Sequence, residues 1–171
     1  MKRAKQVLYL VISLLVVIAD QGLKNYIVTN FKIGDEKTII PGILSFTYLQ
    51  NDGAAWNIFS GQMILFYLIS IAAIAVVFYY LFNPKYKNWL FDTGLALVLG
   101  GIVGNFIDRL HLKYVIDMLQ LDFVQFNIFN IADSAITVGI VLVFIYLIFT
   151  IIFSSLHCKS ACWTSLNTVT A

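Results

Sequence analysis

Charge is what this chain has least of. Of its 171 residues only 12% are charged, while 60% are hydrophobic; an ordinary soluble domain carries roughly 25% charged residues. With a mean hydropathy of +0.87, that depletion argues against a water-soluble globular domain. Cysteine is nearly missing as well. Cys158 and Cys162 are the only two, both near the C-terminus, so no disulfide framework is implied. Histidine is as scarce, and no H-E-x-x-H spacing occurs. His157 beside the two cysteines offers three ligands without a fourth, which makes a poor metal site. No internal repeat is visible. The net charge of +2 gives no reason to invoke nucleic acid.

What the chain has instead is long apolar runs. A hydrocarbon core about 30 Å thick needs about 20 helical residues, and four segments meet that length: Gln6–Val28, Gln62–Phe82, Trp89–Leu110 and Ala132–Phe153. Helix is the state to expect, because a lone strand in lipid leaves its backbone unpaired. The basic start and apolar middle of "MKRAKQVLYLVISLLVVIAD" resemble a secretory signal. No small-residue cleavage site follows, however, and a retained anchor is expected.

Charge sets the expected orientation. Both termini and the "NPKYKN" loop fall on one side, with Lys2, Arg3, Lys5, Lys85, Lys87 and Lys159 against Asp92 alone. The other side holds five basic and eight acidic residues. The basic excess marks the cytoplasm, and an even number of spans agrees with both ends lying inside. Two loops, 29–61 and 111–131, then face outward. The first, with its β-branched and aromatic "GILSFTYLQNDGAAW", is expected to form a short strand or two at the membrane surface. It is too small to bury a core of its own and must rest on the bundle or on lipid. The tail from residue 157 onward is expected to be a flexible cytoplasmic extension. Trp56 and Trp89 suit interfacial anchoring.

The polar residues inside these runs gather at one level. Asp20 lies about 22 Å along the first helix from its inner end, and Lys24 follows one turn later on the same face. Asn105, Asp108 and Arg109 share a face near the outer end of the third span. Asn130 and Asp133 stand at the mouth of the fourth, Asp117 precedes them in the loop, and Asn51 comes from the other outer loop. Each has a plain structural reading. Asp20 and Lys24 could be an interfacial ion pair, Asn130 and Asp133 a helix cap, and Gly100, Gly101 and Gly104 a close-packing face. Taken together, they supply carboxylates, amides and one arginine to a single layer. Two close carboxylates share a proton. One can then deprotonate a water while the other protonates a carbonyl under attack. A proton- or ion-coupled transporter is the alternative, since intramembrane acids also mark ion paths, although transporter sites tend toward the midplane between repeats.

Five stretches, read in order, resemble the lipoprotein signal peptidases, also called signal peptidase II. "DQGLK" (Asp20–Lys24) looks like D-Q-x-x-K, and "NDGAAW" (Asn51–Trp56) like N-x-G-A-A-F/W. "GGIVGNFIDR" (Gly100–Arg109) looks like G-G-x-x-G-N-x-x-D-R, "VIDM" (Val115–Met118) like V-x-D-F/M, and "FNIADSAI" (Phe129–Ile136) like F-N-x-A-D-x-x-I. The resemblance implies an all-α membrane fold of four helices over residues 1–156 with a small β-structured platform on the outer face. It implies a catalytic aspartate dyad of Asp117 and Asp133, with Asn51, Gly53, Asn105, Asp108, Arg109, Asn130, Asp20 and Lys24 in binding or supporting roles. It implies removal of the signal peptide from bacterial prolipoproteins, before a cysteine that carries a diacylglyceryl group. No metal or cofactor is expected. The expected partners are the lipid-modified substrate and membrane phospholipids, and the protein is expected to work as a monomer in the bacterial cytoplasmic membrane. The tail after residue 157 matches no element of the family.

Overall fold

The computed structural model describes residues 2–53, 59–83 and 88–169, with the backbone alone at 2–5 and 153–169. Trp56, Lys85 and Lys87, and the side chains of His157, Cys158 and Cys162, lie outside the described residues. Four helices carry the chain: α1 (Lys2–Asn30), α2 (Met63–Phe82), α3 (Trp89–Leu112) and α4 (Ile131–Val169). Each contains a stretch long and apolar enough to cross a membrane, ending in α4 at Ile152. The protein is thus a multi-pass membrane protein. Trp89 stands exposed in the first turn of α3, as an interfacial anchor would.

The hub of the bundle is α3, which touches the other three helices. Its glycines explain why. A Cβ on Gly94 would lie 2.7 Å from the Gly139 carbonyl of α4, and one on Gly100 2.7 Å from the Ser13 carbonyl of α1. One on Gly101 would strike the Ala132 carbonyl. Bare backbone therefore faces bare backbone, the close approach that small residues permit where no hydrophobic force drives helices together in lipid. Ser13 adds an interhelical hydrogen bond by donating to the Ala96 carbonyl at 2.8 Å. At the end of the bundle remote from the polar layer, Tyr9, Val77, Leu81, Phe91, Leu95, Ala96 and Leu99 form an apolar cluster.

Three antiparallel strands, β1 (Glu36–Ile40), β2 (Leu44–Asn51) and β3 (Val115–Leu121), make one sheet in the order β1-β2-β3. The platform expected within 29–61 is there, but its third strand comes from the second outer loop. Thr47 and Gln120 join side chains across the β2–β3 pair at 2.8 Å. Beneath the sheet, Tyr48, Ile116 and Met118 bury against Ile27 of α1, so the platform rests on the end of the first helix. After β3 the chain loops back. Met118 and Leu119 N–H both reach the Phe129 carbonyl, at 3.0 and 2.7 Å, and Phe129 N–H returns to Leu119. This turn sets Asn130, just before α4, beside Asp117.

One expectation fails in the tail. Helix α4 runs on to Val169 rather than loosening at residue 157. No glycine or proline occurs after Gly139, and nothing local stops a helix that is already propagating.

Candidate active site

Consecutive spans alternate in direction, so the ends of α1 and α3 meet the starts of α2 and α4 at one level. There the structure brings together every polar residue that the sequence placed in that layer. They sort into two groups.

The first group is closed off from solvent. Lys24 is 2% exposed and lies 2.7 Å from Asp20 and 2.8 Å from Asp108, both themselves buried. The carboxylates have further partners: Asp20 accepts Ala132 N–H at 2.9 Å, and Asp108 accepts Ile116 N–H at 3.2 Å. A buried ion pair needs such additional hydrogen bonds to offset desolvation. Gln21 donates to Asp108 at 2.8 Å and to the Gly104 carbonyl at 3.2 Å. A Cβ on Gly104 would sit 2.7 Å from Asp20, so glycine leaves room for the cluster. The triad thereby ties α1, α3, β3 and the first turn of α4 together. It does not line a cavity.

The second group opens on a cavity of about 510 Å³, lined by Asn51, Gly53, Asn105, Arg109, Asp117 and Asp133 among others. Asp117 projects from β3. One of its oxygens accepts from the Asn130 amide at 2.7 Å, the other from the Asn51 amide at 3.0 Å. Asp133 receives the Asn105 amide at 2.7 Å and Asn130 N–H at 3.3 Å. In return, Asp133 N–H donates to the Asn130 side chain at 2.9 Å. That reciprocal exchange is a capping box at the start of α4. The plain cap foreseen from sequence is thus real, and it also aims Asn130 at Asp117. Asn130 is itself fully buried behind the cavity wall. Each carboxylate oxygen of the pair therefore receives one N–H, which leaves its second lone pair for a proton or a water.

Neither Asp117 nor Asp133 has a cation within salt-bridge distance among the described residues. Burial pushes the Asp117 carboxyl from its ordinary 3.8 up to about 7. The hydrogen bond from Asn51 opposes the rise, and the charge of Asp133 adds to it. Arg109 stands over the Phe66 ring at 4.6 Å and reaches the Gly53 carbonyl at 3.4 Å. Its buried Nε has no hydrogen-bond partner among the described residues.

Three contributors escaped the sequence reading. Gln21 stood inside a quoted motif but went unassigned. Phe66 and Tyr67, whose hydroxyl holds the Arg109 carbonyl at 2.8 Å, are apolar-run residues with no local signal. The cavity wall of Phe126, Asn127 and Ile128, continued by Ser134, Thr137 and Val138 on α4, is likewise visible only in three dimensions.

A sequence model described as signal peptidase (SPase) II matches residues 12–149. The lipoprotein signal peptidase of Lactobacillus gasseri is 97% identical over 149 residues, covering 87% of this chain and 97% of that protein. That of Enterococcus faecalis is 49% identical, covering 83% and 88%. A bacterial membrane enzyme solved at 2.3 Å superposes with a TM-score of 0.79 at 38% identity, covering 82% of this chain and 87% of that one. The protein is a membrane-spanning peptidase of the aspartic type. It belongs to the signal peptidase II family, whose members process lipoproteins.

Proposed function

We propose that Asp117 and Asp133 form the reacting pair, and that the chain cuts diacylglyceryl-modified prolipoproteins just before the lipidated cysteine. The observation that carries this reading is the shared cavity. It holds a buried and a half-buried carboxylate, Asp117 and Asp133, whose four oxygens are all addressed by amide or backbone N–H groups. Two such acids do not ionise together easily, and a carboxyl raised to about 7 holds the shared proton on Asp117 near neutrality. Asp133, at the positive end of α4, is the base. It takes a proton from a water that attacks the scissile carbonyl, while Asp117 gives its proton to the carbonyl oxygen. The gem-diol intermediate collapses as Asp133 passes its proton to the leaving nitrogen and Asp117 takes one back from a gem-diol hydroxyl; the C–N bond breaks, the pair regains its single proton, and no covalent intermediate forms. The free Nε of Arg109 supports a role in holding a substrate carbonyl, and Asn51, Gly53, Asn105 and Asn130 orient the pair.

The site's height suits this substrate. A signal peptide is an apolar helix, and each acyl CH₂ buried in lipid contributes about 0.8 kcal/mol, which keeps the scissile bond at the rim of the bilayer. The basic inner and acidic outer loops support cytoplasmic termini and an outward-facing site in the cytoplasmic membrane. Residues 1–156 act as one peptidase unit, a monomer needing no metal, with 157–171 appended.

The test is release of the signal peptide from a purified, lipid-modified prolipoprotein, followed on a gel. Asp117→Asn and Asp133→Asn should each stop release in a folded protein. Full activity in either overturns the pair. Full cleavage of a substrate lacking the diacylglyceryl group overturns the substrate assignment.

A further inference from the structure

The three asparagines around the acid pair differ in what holds their carbonyl ends. Asn51 accepts Gly53 N–H at 3.0 Å, and Asn130 accepts Asp133 N–H at 2.9 Å. In both, nearby backbone dictates which way the amide faces. Asn105 has no such backbone donor among the described residues. Its oxygen accepts instead from Lys24 and from the Asn130 amide, each at 3.1 Å. Its NH₂ is thereby turned toward Asp133, at 2.7 Å.

We propose that Lys24, which does not line the cavity, is a positioning residue for the reaction. Its ammonium locks the Asn105 amide so that it always donates to Asp133 and never accepts from it. This rests on the reading of Asp117 and Asp133 as the reacting pair. The chemistry is one of direction. Lys24 has three N–H groups and no lone pair; Asp20 and Asp108 take two of them, and the Asn105 oxygen takes the third. A flipped Asn105 would set NH₂ against the ammonium and its oxygen against the Asp133 carboxylate. Both contacts repel in a site where Lys24, Asn105 and Asn130 are buried and Asp133 is half-buried. With the lock in place, one Asp133 oxygen faces Asn105 NH₂ and the other Asn130 N–H. Asp133 is then held as an acceptor, ready to take a proton from water. The charged groups that face this arrangement are Asp20 on α1, Asp108 and Arg109 on α3, Asp117 on β3 and Asp133 itself.

The triad also staples helices, through Ala132 N–H on Asp20 and Ile116 N–H on Asp108. A staple acts on stability and the lock acts through Asn105, so the two separate in a double-mutant cycle. Lys24→Met, Asn105→Leu and the double variant are purified, and signal-peptide release is measured from pH 5 to 9 beside thermal stability. Lys24→Met should lower kcat by about 10²-fold, the loss typical of slight misplacement at a reacting centre, with KM little changed. Its pH–rate profile should move upward, since a positive charge near the pair is gone. The double variant should be no slower than Asn105→Leu alone. Multiplying losses, or a wild-type kcat and pH profile in Lys24→Met, overturn the lock.

Should Lys24→Met not fold, Asn105→Asp decides, because it leaves the triad in place. Lys24 would keep the new carboxylate ionised, and it could donate to Asp133 only after protonation. Activity should fall at neutral pH and recover partly toward acid; an unchanged profile overturns the proposal. If Asp117→Asn and Asp133→Asn stay active, the reacting-pair reading has failed. If both are dead while Lys24→Met or Asn105→Asp keeps wild-type rate and profile, only the lock has failed.

Discussion

Two pairs of carboxylates lie in the same layer of this protein, all buried but the half-buried Asp133, and their surroundings set them to different tasks. Asp20 and Asp108 close around Lys24 at 2.7 and 2.8 Å, outside the lining of the site cavity. Among the described residues, Asp117 and Asp133 accept from amides and backbone N–H groups only, and they face a space of about 510 Å³. The carboxylates around the buried cation serve architecture, tying helices and strand together. A buried carboxylate with no cation at salt-bridge distance among the described residues keeps a proton within reach of neutral pH, and burial pushes Asp117 up to about 7 against the opposing hydrogen bonds of Asn51 and Asn130. Proximity in the layer is common to both pairs; the neighbouring charge is what separates a staple from a candidate acid–base pair.

The largest expected effect breaks that comparison at the cavity. Asp133→Asn should lower kcat by about 10⁴-fold or more, the scale seen when one member of a catalytic unit is removed. Its melting temperature should stay close to wild type, and a gel assay with a thermal scan checks both. The mirror experiment strikes the staple. Lys24→Met leaves two buried carboxylates without their cation, and should destabilise the fold by roughly 3–5 kcal/mol, read as a fall in melting temperature far exceeding that of Asp133→Asn. Next comes the space that the triad needs. Gly104→Ala, which crowds Asp20, should cost about 1–3 kcal/mol, and Gly22→Ala, where a Cβ meets open space, should cost nothing on the same scan.

A smaller effect sharpens the contrast through pH. A raised carboxyl pKa favours the protonated form in the folded state. The contribution of Asp117 to stability is therefore fully present below pH 3.8 and is lost as pH rises through about 7. Asp117→Asn should abolish that loss, so variant and wild-type stabilities should diverge in the variant's favour across this window. Activity should fall on the alkaline side near pH 7, as the pair loses its one proton. Asn51→Ala removes a hydrogen bond that opposes the rise, and should move that alkaline limb upward by about one unit. A downward shift would contradict the role assigned to Asn51.

Much of this was legible beforehand, for identifiable reasons. Apolar runs of 20 residues have one outcome in lipid, so the bounds of α2 and α3 fall within two residues of those expected. Polar residues stranded in such runs are costly enough to mark the layer by themselves. β3 was less legible. "VIDMLQL" lacks strict alternation, and it pairs with β2, more than 60 residues earlier, so nothing in the neighbouring sequence announces a strand. Gln21 was passed over because a glutamine beside an aspartate has no pattern of its own; its partners, Gly104 and Asp108, lie on another helix. The polar composition after residue 157 does not announce the continuation of α4, although no glycine or proline there breaks a helix.

Composition alone determined that the chain spans a membrane four times, and helical spacing determined which acids share a level. Both follow from the cost of placing backbone and charge in hydrocarbon, which is paid residue by residue. Which acid meets which neighbour was decided only by the tertiary structure. The Gly–backbone crossings bring α1, α3 and α4 close enough for Lys24 to take Asp20 and Asp108, while the fold of β3 onto β2 hands Asp117 to Asn51 and Asn130 instead. Electrostatic identity depends on distances of a few ångströms between segments far apart in the chain, and those distances exist only once the helices have packed.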